Sequence, residues 1–270
     1  MRQTILGIAV LFCSLPSLSS YADGRSSVYQ VQVGVDLPTL AGSAIISLLP
    51  LHPSPSSSFS GDPASLNAMD RAVVGNHSQT AANLSDVTAP LAIIAPLVGD
   101  AWDVGFSAQL TEDVTVYTEA LSINFALLNL VKNGVARPRP RLYAVDSRVR
   151  NSAANQSLRD NADNFRSFYS GHTATTVCAL TIMAQTVSYR YGTSAWPWIA
   201  VGFIGSSVAL ERVAAGMHFY TDVLTGAAVG LGIGLIVPYL HRQLFAKTLL
   251  PPVSIGPALD GAQLLYTLQF

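Results

Sequence analysis

An all-α fold is predicted, an up-and-down bundle of about six helices with a short N-terminal strand and a C-terminal β-hairpin appended. Three observations predict it. Apolar runs of helical length recur at 37–51, 87–98, 114–131, 173–189, 195–210 and 222–241. Charged residues make up 11% of the chain against 50% hydrophobic, less than half the charge of an ordinary soluble domain, so these runs have little polar surface to offer water. Period-two alternation is confined to the two ends, at 28–35 and 263–270.

The first stretch reads as a signal peptide, residues 1–22. Arg2 precedes an apolar run at 5–18, and Ser20-Tyr21-Ala22 places small residues three and one before a cut after Ala22; an uncleaved anchor is the alternative. Cys13 falls inside it, so Cys178 is the single cysteine of a mature chain, which excludes an intrachain disulfide and a cysteine-based metal site. Residues 23–83 follow as an N-terminal strand, a first apolar helix and a Ser/Pro-rich loop at 53–63.

The helical unit is expected over 84–247. The runs at 173–189, 195–210 and 222–241 have almost no charge inside and approach bilayer-crossing length. The run ending at Lys132 differs, because Glu119, Asn124 and Asn129 require that one face meet protein or water. Gly226, Gly230, Gly232 and Gly234 in the last run suit close helix–helix approach. Core burial in a soluble protein explains the same runs, and mean hydropathy, +0.37, lies between the two classes. At 248–270, Asp260-Gly261 between two short runs signals a two-residue hairpin, whose second strand is expected to pair with the N-terminal one.

Residues able to do chemistry collect at helix ends. Lys132 ends one run, and Arg137-Pro138-Arg139-Pro140-Arg141 follows, with prolines fixing an extended backbone. Ser170-Gly171-His172 opens the next run, with Ser170 as N-cap, and a helix N-terminus favours an anion. Glu211-Arg212 ends the following run, and His218 and Asp222 begin the last. If neighbouring helices alternate direction, these four ends share one rim. Lys132, Arg139, Ser170, His172, Arg212, His218 and Asp222 would then meet there. The His218–Asp222 spacing puts both side chains on one helix face, where a carboxylate can fix the imidazole tautomer. A net charge of −1 gives no field to recruit nucleic acid, and no such partner is expected.

Lys132-x6-Arg139-Pro140, Ser170-Gly171-His172 and Arg212-x5-His218-x3-Asp222 together resemble the three-part signature of the type-2 phosphatidic acid phosphatases. That superfamily also holds bacterial non-specific acid phosphatases and vanadium haloperoxidases. The resemblance implies a metal-independent phosphatase acting on a phosphomonoester or pyrophosphate through a phosphohistidine. His218 would be the nucleophile, Asp222 its orienting partner, and His172 the acid–base group. Lys132, Arg139, Ser170, Gly171 and Arg212 would bind the phosphoryl oxygens. No metal and no cofactor are expected, with vanadate as an inhibitor or, in a haloperoxidase, the prosthetic group. Two positions depart from the family pattern, Tyr169 where Pro is usual and Glu211 where Ser is usual. Tyr169 is expected to shape the pocket mouth or stack on a substrate, and Glu211 to weaken anion binding unless it pairs with a nearby Arg.

The partner expected is a phosphorylated lipid (phosphatidate, a polyprenyl pyrophosphate or a lipid A phosphate) at a membrane. A small phosphoester and a soluble periplasmic acid phosphatase are the alternative. A non-catalytic protein binding lipid headgroups is the reading from another class. The protein is expected to be exported and membrane-associated, with its site facing the periplasm. That sidedness, with a cleaved signal, requires that 37–51 or 87–98 not cross.

Overall fold

The computed structural model describes residues 27–51, 59–242, 253–258 and 261–266. The signal-peptide reading, its cleavage site and most of the Ser/Pro-rich loop lie outside the described residues. The described chain forms six long helices, α1 (Val33–Leu48), α3 (Gln79–Val104), α4 (Ala108–Val135), α7 (Gly171–Tyr191), α8 (Ala195–Ala214) and α9 (Tyr220–His241). Three short ones join them, α2 (Ala68–Arg71), α5 (Ser147–Arg150) and α6 (Ala153–Arg159). This is the predicted all-α body.

The N-terminal strand does not form. Residues 27–32 are irregular and α1 begins at Val33, where the Asp36 carboxylate accepts the Gln32 backbone N–H at 2.6 Å. A strand needs a neighbour to complete its ladder. Here Tyr29 is instead buried against Val116, Tyr117, Ala120 and Cys178, its hydroxyl 2.8 Å from Thr186 Oγ1. Near the C-terminus the backbone of β1 (Val253–Ala258) pairs antiparallel with β2 (Gly261–Tyr266), and the sheet has only these two strands. The expected pairing with an N-terminal strand is therefore absent among the described residues.

Helix α3 starts eight residues before the apolar run at 87–98, because Ser78 caps it by accepting the Ala81 N–H at 3.2 Å. It runs through Pro90 and Pro96, which a helix packed among others tolerates. Its exposed apolar side chains, Leu84, Val87, Leu91, Ile94, Val98 and Trp102, recur every three or four residues and form one outward stripe. Helix α4 turns the other way round, burying Asp113, Glu119, Asn124, Asn129 and Lys132. Apolar faces outside with polar groups inside suit lipid, not water. Three segments, Gln79–Val104, Ala108–Leu142 and Tyr220–His241, are long and apolar enough to cross a membrane. Helix α7 is not among them. It sits inside the bundle, where Thr173, Thr175, Thr176, Thr181 and Thr186 are all buried.

Helices α7 and α9 touch backbone to backbone. A Cβ at Gly226 would lie 2.7 Å from the Ser170 carbonyl oxygen, one at Gly230 would lie 2.2 Å from that of Ala174, and one at Gly234 would lie 2.9 Å from that of Cys178. Gly232 faces open space and takes no part. This register fixes the start of α7 beside the start of α9, where the Ser170 N–H donates to the Asp222 carbonyl at 3.0 Å. At the far end Arg190 ties three segments together through Asp100 (2.8 Å), Asp103 (2.9 Å) and Asp113.

Candidate active site

The four helix ends meet as expected, and each is held there by a backbone feature. Helix α4 stops at Ala136, whose φ of 48° is left-handed and turns the chain into the Arg-Pro segment. That segment lies along residues 164–167, with Arg139 N–H donating to the Asn164 carbonyl (2.8 Å) and Ser167 N–H to that of Arg137 (2.9 Å). Between Arg212 and His218 the chain turns at Gly216, φ +67°, where a Cβ would stand 1.9 Å from the Asn76 carbonyl oxygen. Only glycine fits that turn.

Lys132, Arg139 and Arg212 are 9%, 7% and 5% exposed, so three cations are at least nine-tenths buried in one region. Their partners are few. Lys132 Nζ donates to the Arg166 carbonyl. Arg139 donates to the backbone carbonyl and carboxylate of Asp163 at 3.0 and 2.8 Å. Arg212 Nη1 reaches Ser85 Oγ (3.0 Å) and Asp86 (3.2 Å), while its Nε is buried without a hydrogen-bond partner. Asp86 and Asp163 are themselves mostly exposed. Water weakens their compensation, and the buried region keeps a surplus of positive charge.

Two imidazoles face these cations. His218 is 2% exposed, and its Nδ1–H donates to the Ser167 carbonyl at 2.7 Å. Its other nitrogen, Nε2, is thereby left with the lone pair. Asp222 Oδ2 stands 3.7 Å from Nδ1, an ion-pair separation beyond hydrogen-bond reach. The expected direct orienting bond is therefore replaced by the one His218 gives to the Ser167 carbonyl, and the Ser167 hydroxyl in turn donates to Asp222 at 2.6 Å. Burial pulls the His218 ring down to about 3, with Lys132 and Arg139 adding to the shift, so it is neutral at neutral pH. His172 lies 3.3 Å from Asp86, the carboxylate that also holds Arg212. Burial and then the Arg212 charge pull it down to about 4, with Lys132 contributing. Lys132 thus acts on both rings.

Ser170 caps α7, its Oγ 3.5 Å from the Thr173 N–H and 3.0 Å from the Thr173 hydroxyl. Gly171 is the first residue of the helix. Tyr169 is 1% exposed, and its hydroxyl has no hydrogen-bond partner among the described residues, so it is packed away from solvent and does not shape the pocket mouth. Glu211 accepts a hydrogen bond from Thr88 Oγ1 at 2.8 Å. Among the described residues, the cavity of about 530 Å³ between Asp100, Tyr117 and Arg190 and the one of similar volume beside Arg137 and Tyr143 are lined by neither His172 nor His218.

Sequence reading missed three residues. Arg137 lies between two carboxylates that are fully buried, donating to Asp222 and, at 2.7 Å, to Asp70. Asp70 also accepts from the Thr221 N–H (3.1 Å) and hydroxyl (2.7 Å). Burial works against it, yet hydrogen bonds from Arg137, Thr221 and Asn67 hold its carboxyl below the ordinary range. Ser167 completes the set. No local pattern marks them, because the pairs are separated by 55, 85 and 151 residues. The one available signal was that Arg137 shares the Arg-Pro repeat with Arg139.

The PAP2 superfamily family model matches residues 113–246. A curated relative, the "Probable diacylglycerol pyrophosphate phosphatase 1" of Schizosaccharomyces pombe, is 32% identical over 140 residues, which is 44% of this chain and 48% of that protein. The chain thus spans about half the length of that relative. Among solved structures, LpxE of Aquifex aeolicus is similar at 21% identity and a TM-score of 0.41, over 62% of this chain and 90% of its own. A transmembrane PAP2-type phosphatidylglycerolphosphate phosphatase of Bacillus subtilis is similar at 18% identity and 0.46, over 77% and 96%. The matched segment contains Lys132, Arg139, Ser170, Gly171, His172, Arg212, His218 and Asp222, and over that segment the chain is a member of the PAP2 superfamily.

Proposed function

We propose that the chain is a metal-independent lipid phosphatase, a phosphoric monoester or pyrophosphate hydrolase working through a phosphohistidine. The observation that supports it best is the set of three nine-tenths-buried cations around two neutral imidazoles, with the Arg212 Nε unpaired. A phosphate group supplies the missing negative charge and the acceptors. Lys132, Arg139 and Arg212 then bind its oxygens, exchanging the Asp86 and Asp163 carboxylates for the ligand. The Ser170 hydroxyl and the Gly171 N–H add donors at the helix start. Charge gathered on the equatorial oxygens in the transition state is stabilised by the same groups.

His218 attacks phosphorus through Nε2 while Ser167 and Asp222 steady Nδ1–H. The bond from phosphorus to the leaving oxygen breaks, and His172 gives that oxygen its proton. His172 then takes a proton from the water that hydrolyses the phosphohistidine, which frees His218, and that proton leaves with the phosphate to restore the neutral ring. His172 is neutral in the free chain, so its proton arrives with the substrate, whose negative charge raises the affinity of the ring for it.

The outward apolar stripe of α3 and the three segments able to span a membrane favour a lipid-borne phosphate, as does the activity named for the S. pombe relative. The chain is proposed to be exported, with the site on the periplasmic side. The catalytic unit is proposed as 84–247 together with the segment carrying Asp70, which bonds to Arg137 and Thr221. A screen of phosphate release over lipid and water-soluble phosphates, with chelator present and well below the unfolding temperature, tests this. Lipid phosphates should be the better substrates, and His218→Ala should abolish turnover. Turnover by His218→Ala near that of the wild type would refute the assignment.

A further inference from the structure

Three side chains far from the phosphate site converge without a role in it. Asp36 near the start of α1, Glu119 in the middle of α4 and His241 at the end of α9 place their ligating atoms within 4.8 Å of one another. Asp36 and Glu119 are buried and His241 is half-buried, with side-chain exposures of 6%, 7% and 10%. His241 lies 19 residues beyond Asp222 on the same helix, or about 28 Å along its axis.

The hydrogen bonds decide what sits between them. His241 Nδ1 is 2.8 Å from the Val237 carbonyl, which can only accept, so Nδ1 carries a proton. The other nitrogen, Nε2, points at Asp36 Oδ1 at 3.3 Å and Glu119 Oε2 at 3.1 Å. Were Nε2 protonated as well, one N–H could serve only one of these oxygens. Glu119 Oε2 has no hydrogen-bonding geometry to any described group, and the trio would keep a net charge of −1 in a buried setting. A divalent cation resolves both problems, since two carboxylates and a neutral imidazole then sum to zero. Zn²⁺ bonds of about 2.0–2.1 Å in a tetrahedron put ligand atoms about 3.3–3.4 Å apart, close to the two separations observed. A backbone carbonyl holding the far nitrogen of the ring is the usual second support of a metal-bound histidine. Asp36 is likewise steadied by the Gln32 N–H on its other oxygen.

We infer that Asp36, Glu119 and His241 form a binding site for a first-row divalent cation of the Zn²⁺ type. It would clasp the first, a central and the last long helix of the bundle. Its role is structural, and it stands apart from the proposed metal-independent hydrolysis.

The test uses the full chain purified in detergent. Wild-type protein, exhaustively chelated and then given Zn²⁺, should retain a stoichiometric amount after desalting and regain a thermal midpoint lowered by chelation. His241→Gln and Glu119→Gln should lose both the retention and the response to Zn²⁺, while His77→Gln, at an exposed site elsewhere, should keep both. Phosphate release well below the midpoint should be unaffected by chelation. Wild-type protein that neither retains Zn²⁺ nor shifts its midpoint with it would overturn the inference, leaving an imidazolium between two carboxylates. Retention undiminished in His241→Gln would overturn it equally.

Discussion

Arg137 and Arg139 are separated by one proline, and the proposed function gives them opposite kinds of work. Replacing Arg137 by Met keeps most of the stem volume and removes the charge. Two fully buried carboxylates, Asp70 and Asp222, then lose their shared cation. Each keeps other donors: Thr221 and Asn67 for Asp70, Ser167 and the Phe219 N–H for Asp222. Breaking one buried ion pair costs about 3–5 kcal/mol. The remaining donors and the 19% exposure of Arg137 argue for the lower end, about 3 kcal/mol. The guanidinium also lies 4.3 Å over the Phe219 ring, a contact worth about 0.5–2 kcal/mol. At about 2–4 °C per kcal/mol, the combined loss of about 3.5–5 kcal/mol should lower the thermal midpoint by roughly 7–20 °C. Arg139→Met removes a buried cation whose carboxylate partner among the described residues, Asp163, is 60% exposed, so stability should change by no more than about 1 kcal/mol, while phosphate affinity and turnover collapse. Differential scanning fluorimetry in detergent, with phosphate-inhibition constants for both variants, separates the two. An Arg137→Met midpoint equal to wild type, or an equal loss in Arg139→Met, would refute the division of labour.

Other consequences are as direct. His218 has an ordinary value of 6.5 when exposed but about 3 in the fold, so the unfolded chain takes up a proton that the folded one refuses. Its contribution to stability is complete above 6.5 and drains away as pH falls toward about 3, at about 1.4 kcal/mol per pH unit. His218→Gln should flatten the acid limb of the stability–pH curve, and an unchanged limb would contradict its buried neutral state. Phosphate binding should be accompanied by proton uptake through His172, measured by calorimetry in buffers of different ionisation heat and lost in His172→Gln. Gly216→Ala forces a left-handed alanine into the Asn76 carbonyl and should cost more than about 2 kcal/mol, with activity falling alongside folded yield. Gly230→Ala should destabilise by pushing α9 from α7, whereas Gly232→Ala, which meets nothing within 4 Å, should be neutral or stabilising by up to about 1 kcal/mol. Equal midpoints for that last pair would remove the basis for the helix register.

The bundle and the meeting of four helix ends were legible because those ends are marked locally, by apolar periods and by Ser170, and because alternating helices must share a rim. What escaped depends on groups that meet only in three dimensions. Ser167, not Asp222, takes the His218 Nδ1–H, and nothing about Ser167 in sequence separates it from other loop serines. Asp36, Glu119 and His241 come from the beginning, middle and end of the helical body. The alternation at 28–35 misled because a period of two reports two differing faces, not the partner that makes a strand. With α4, α7 and α9 on hand to cover Tyr29, no ladder was needed. The prolines of α3 hid its length, since a propensity suited to exposed helices overstates their effect inside a packed bundle.

The glycine contact between α7 and α9 divides the active site into parts with different freedom to change. Ser170 and Asp222 are locked through main-chain atoms, so no exchange of side chains at the surface can shift their spacing. The stretch from Pro140 to Arg166, by contrast, is built from short turns and two brief helices. A homologue's version of residues 143–160, grafted between Leu142 and Asn161, would change the neighbouring surface while leaving Asp163 and Arg166 on Arg139 and Lys132. The outer surface is therefore an exchangeable part, while the spacing of Ser170 and Asp222 is cast into the frame.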